Sequence, residues 1–78
     1  MTNAQKRVVK YWSIISKIPE HLLLEWFDNS DWMKDRAIDC AISEVEAIME
    51  AFDNPELDIP HREVLPFKQE LTELKAML

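Results

Sequence analysis

The chain has 78 residues, no glycine, one cysteine, and nine basic against fifteen acidic residues, for a formal net charge of −6. Without glycine there is no phosphate-cradling loop and no nucleophile elbow, and one cysteine excludes an intrachain disulfide or a cysteine-built zinc site. The acidic balance argues against adhesion of the whole surface to nucleic acid or anionic membrane.

Asn3 to Ile18 reads as the first helix, capped by Thr2 or Asn3. Val8, Tyr11, Trp12, Ile14, Ile15 and Ile18 share one broad side. Lys6, Lys10, Ser13 and Lys17 follow at i, i+4, i+7 and i+11 on the other side, as a basic stripe. The plain reading is a solvated face whose lysine stems cover apolar surface. The sharper reading pairs it with an acidic stripe farther along, within one chain or between two. The plain reading is preferred here, because exposed ion pairs contribute only about 0–1 kcal/mol each.

Pro19 opens a short second helix, PEHLLLEWFDN, from the tolerated first position. Leu22 with Trp26 and Leu23 with Phe27 are i,i+4 pairs, and Leu24 widens the apolar side. So short a helix is not stable alone. It is expected to pack on the central helix or in an interface, with Trp32 folded back over it and Arg36 stacked on that indole.

Ser30 to Phe52 reads as one long helix, the spine of the domain, with Ser30 as N-cap and Asp53-Asn54-Pro55 as the stop. Projection at 100° per residue separates three faces. Ile38, Ala41, Ile42, Val45, Ile48, Met49 and Phe52 form a large apolar face. Met33, Ala37, Cys40, Ala47 and Ala51 form a face of mostly small residues, interrupted by Glu44, where a second neighbour is expected to approach closely. Asp31, Asp35, Asp39, Glu46, Glu50 and Asp53 form an acidic stripe.

Pro55, Pro60 and Pro66 constrain the next connection, with Leu57 and Ile59 expected on the core. Pro66 to Leu78 reads as the last helix. Its Phe67, Leu71, Leu74 and Leu78 lie in a stripe about 60° wide, closer to a coiled-coil seam than to a globular core face. The whole predicts an all-α fold in one domain over residues 1–78: a compact bundle of about four helices, the second short, able to form a helical homodimer.

Chemistry is sparse. His21 and His61 belong to no metal-binding helix motif, and Cys40 among small residues reads as a small hydrophobe. Asp53–Glu63 is carboxylate-rich but lacks the glycine and spacing of a calcium loop. No catalytic residue, metal, cofactor or small-molecule substrate is expected, and the chain does not read as an enzyme. No apolar run reaches membrane-spanning length. MTNAQKR leads into an amphipathic pattern rather than an apolar signal region, so the expected compartment is the cytoplasm.

A 47% hydrophobic share is high where surface dominates, so another chain is expected to cover part of it. The expected function is therefore a non-catalytic protein-binding module, an adaptor, regulator or inhibitor, engaging another protein or itself. Its expected apolar anchors are Leu22, Trp26, Phe27, Trp32, Phe67, Leu71 and Leu74. The alternative starts from the acidic stripe. Asp35 to Asp39 and Glu46 to Glu50 each span about 6 Å of helix axis, close to phosphate spacing, as in a decoy for a nucleic-acid-binding enzyme or defence complex. Direct DNA binding through Lys6, Arg7, Lys10 and Lys17 is disfavoured by the overall acidity.

Overall fold

The computed structural model describes residues 1–54, 56 and 59–78. Its elements are α1 (Asn3–Ser16), α2 (Glu20–Glu25), α3 (Trp32–Phe52) and α4 (His61–Ala76), with no strand among the described residues. Of the two candidates, Thr2 caps α1, in a reciprocal box: its hydroxyl accepts from Gln5 N–H at 3.2 Å, and Gln5 Oε1 accepts from Thr2 N–H at 2.9 Å. α1 ends at Ser16, two residues before the expected Ile18, and its cap Lys17 adopts the left-handed conformation (φ 61°). That position suits glycine, and the chain has none.

Asp31, not Ser30, caps α3; its Oδ1 accepts from Met33 N–H at 3.1 Å. The carboxylate both satisfies an orphan donor and meets the positive end of the macrodipole. α2 begins at Glu20, with Pro19 as its cap rather than its first residue. α4 begins at His61, well before the expected Pro66, which lies inside the helix. As the sixth residue of α4, Pro66 is past the unbonded first turn, so it removes the bond to the Arg62 carbonyl and crowds that carbonyl. The stretch it prolongs brings Phe67 onto Phe52, ring centroids 5.4 Å apart.

The core is one cluster: Ala4, Val8, Val9 and Trp12 of α1, Leu23 of α2, Ala37, Ile38, Ala41 and Val45 of α3, and Leu74 of α4. α1 touches all three other helices, α3 packs on α1 and α4, and α2 packs on α1 alone. The spine role is thus shared between α3 and α1, and α2 does not lie on α3 as expected. Early α1 (Arg7) meets late α3 (Glu44), and Ile15 lines a groove with Trp32 and Arg36, so these helices run antiparallel. Ile59 is half-buried; the expectation for Leu57 lies outside the described residues.

Two polar devices tie the helices together. Arg7 is bonded to Glu44 of α3 and to Glu70 of α4, Nε to Oε1 at 2.5 Å and Nη2 to Oε2 at 3.3 Å. Glu70 is only 6% exposed. The hydrogen bond to Glu70 raises the Arg7 pKa above the ordinary guanidinium value; burial opposes this, and the charges of Glu70 and Glu44 reinforce it. Lys34 of α3 supplies the second device. Its ammonium donates to the carbonyl of Phe27 and stands 4.5 Å from that ring's centroid and 6.0 Å from that of Trp12. It links the segment after α2 to α3.

Candidate protein-binding surface

A six-residue helix resting on one neighbour buries one row of side chains, and in α2 that row is Leu23. Leu22, Leu24 and Trp26 are left exposed, the indole at 47%. Leu24 stands between two shallow hollows. One, of about 320 Å³, is lined by Met1, Gln5, Leu24, Phe27 and Asp28. The other, of about 310 Å³, is lined by Met1, Lys6, Val9, Lys10, Glu20 and Leu24. Leu22 and Trp26, four residues apart, share the other flank of α2, so both sides of this short helix present apolar side chains.

The structure divides the expected anchors. Leu22 and Trp26 share the α2 surface. Trp32 is apart from them, 65% exposed at the start of α3, beside a groove of about 540 Å³ with Ile15, Arg36, Asp39 and Cys40. It does not fold back over α2, because the Asn29–Asp31 corner directs α3 away along α1. No Arg36–Trp32 stack forms among the described residues; Lys34 takes the cation–π role, on Phe27 and Trp12.

Phe27 is half-buried, edge-on to Trp12 with centroids 6.5 Å apart. Phe67 and Leu71 are half-buried against the core. Leu74 is fully buried inside the subunit, so the expected seam of α4 is largely an internal contact and Leu74 is not an accessible anchor. A narrow stripe suffices for α4 because α1 and α3 offer it a single groove.

Asp35, Asp39, Glu46, Glu50 and Asp53 are exposed, and none makes an ion pair among the described residues. Asp31 is half-buried, engaged as the α3 cap. The small-residue face is divided: Ala37 is in the core, Met33 packs against it and Glu44 bonds Arg7 of α1, while Cys40, Ala47 and Ala51 open to solvent. Lys6, Lys10 and Lys17 are exposed and likewise unpaired among the described residues.

Glu44, which interrupts the small-residue face in sequence, is explained by Arg7. Sequence reasoning missed this triad and Lys34; the one available signal was a charged residue set among apolar positions. Among the described residues no three His, Cys, Asp or Glu side chains are grouped to hold a metal ion, and no helix is long and apolar enough to cross a membrane. No family model, curated protein or solved structure matches this chain.

Proposed function

We propose that this protein is a small non-catalytic protein-binding module that engages a partner through the α2 surface, with Trp26 as the main anchor and Leu22, one turn before it, beside it. One observation carries the reading: Leu22 and Trp26 lie exposed on one flank of a short helix and its cap, and Leu24 is exposed on the other flank beside two hollows. The total surface agrees with it. The accessible area is 5433 Å², against about 4,900 Å² for a typical folded monomer of this mass. Tryptophan at the centre of such a patch is a frequent binding hot spot. The surrounding carboxylates set partner choice and encounter rate more than affinity.

The test is stoichiometric capture of a partner from native lysate on immobilised protein, with the complex mass measured intact. Trp26→Ala is expected to weaken capture by about 30-fold or more, from the 2 kcal/mol that defines a hot spot. Thermal stability should not move, because Trp26 is outside the core. Equal capture by both proteins, or no stoichiometric partner at all, would sink the reading.

A second reading rests on the unpaired carboxylates of α3. As an acidic decoy, the row Asp35, Asp39, Glu46 and Glu50 would occupy the basic channel of a nucleic-acid enzyme. Competition against duplex DNA for such an enzyme should then fall steeply with salt and vanish when all four are changed to Asn or Gln. Unchanged potency in that variant excludes the decoy.

A further inference from the structure

The outer face of α1 has no neighbour in the subunit. It carries Lys6 and Lys10, continues to Lys17 at the cap, and holds Ile14, a large apolar residue 64% exposed beside them. Hollows flank the Lys6–Lys10 ridge on both sides, floored by Phe67 and Pro66 on one and by Val9 and Leu24 on the other. The outer face of α3 is equally uncovered. Its carboxylates Asp35, Asp39, Glu46 and Glu50 are separated by four, seven and four residues. The lysines are separated by four and seven. Along a helix these intervals are about 6 and 10 Å; Lys17, the left-handed cap one residue past α1, closes the second basic interval at the helix end. The acidic row also reads the same from either end, so three lysines meet three carboxylates whichever way the helices run.

We infer that the outer face of α1 docks on the outer face of α3 of a second copy, three lysines against three carboxylates in register. The occupant is chosen by this match of sign and spacing. The pairing cannot form within one subunit, because α1 and α3 bury their Ala4–Val8–Trp12 and Ala37–Ala41–Val45 sides and turn the charged rows away from each other. The contact is therefore head to tail. A heterologous contact of this kind leaves one free face at each end and grows as an open chain rather than a closed dimer. Each exposed pair changes affinity by less than about tenfold, and the contact is short. The association is of the weak, transient class, formed at high protein concentration and low salt. This inference does not depend on the α2 reading; the Leu22–Trp26 flank lies outside the contact, which covers the hollow between Lys6, Lys10 and Leu24.

Sedimentation velocity of the full chain across a concentration series tests it. At low salt the weight-average coefficient should climb with concentration without a plateau at the dimer, and at high salt the rise should disappear. Two triple variants supply the specificity. Lys6→Glu, Lys10→Glu, Lys17→Glu makes both faces acidic, and Asp35→Lys, Asp39→Lys, Glu46→Lys makes both basic. All six positions are exposed, and matching melting curves establish folding. Each variant alone should stay monomeric, and an equimolar mixture should associate again. The second variant is the stricter arm, since its formal net charge is −6 + 6 = 0 and unspecific repulsion is removed. Association of either variant by itself, failure of the mixture, or a monomeric wild type at low salt would overturn the pairing.

Discussion

Replacing Arg7 by methionine is expected to lower the melting temperature by about 12–24 °C. Removing one partner of a buried ion pair costs about 3 kcal/mol at the lower end of the known range. Each kcal/mol is worth about 4–8 °C in a domain of 60–100 residues. The cost arises chiefly at Glu70, which is 6% exposed and would keep its charge with no partner and little water. Glu44 is more open and rehydrates. Changing Glu70 to leucine in the Arg7→Met background should recover most of the loss, because well-packed apolar residues often replace buried pairs without penalty. Calorimetry of the single and double variants decides it. A melting point untouched by Arg7→Met would show that water serves Glu70 as well as the guanidinium does.

The same site makes a pH prediction. The folded-state pKa of Arg7 is raised, so its contribution to stability is fully present below the ordinary guanidinium pKa and is lost only as pH rises through the folded value. From neutrality to about pH 10 this arginine should therefore cause no loss of stability.

Trp12 carries the second large effect. It is the largest fully buried side chain, held between α1, the segment after α2 and Lys34 of α3. Trp12→Ala is expected to cost about 3–5 kcal/mol, out of about 4–12 kcal/mol for a domain of this length. The variant should be largely unfolded at physiological temperature. Its indole Nε1 is buried with no hydrogen-bond partner among the described residues. Trp12→Phe removes that unpaired donor, whose desolvation costs about 1–3 kcal/mol, and so offsets part of the lost volume. Phenylalanine should therefore cost less than half as much as alanine, read from urea midpoints at constant slope. Equal losses for the two variants would mean that Nε1 is satisfied in solution.

The candidate surface was only partly readable in advance. Trp26 and Leu22 stand where their composition pointed, on a helix too short to hide them. Leu74, from the same reasoning, is in the core. A stripe pattern states that a residue faces something, and a sister helix or a separate molecule produces the same pattern. Trp32 shows the converse: its exposure follows from the direction in which α3 leaves the Asn29–Asp31 corner, which no local propensity encodes.

The helical class, the four elements and the inward sides of α1 and α3 were legible in the order of residues alone. Hydrophobic periodicity, an end-capping Thr2 and the breaks at Pro19 and Asp53–Asn54 act over a few neighbouring residues. That Arg7 bridges Glu44 and Glu70, that Lys34 covers Trp12 and Phe27, and that α2 leans on α1 came from packing. These contacts join residues up to 63 positions apart, and their geometry is set by how the helices pack together. The start of α4 before Pro66 belongs with them: the helix runs through the proline, which local rules place at a helix start instead, to where Phe67 meets Phe52.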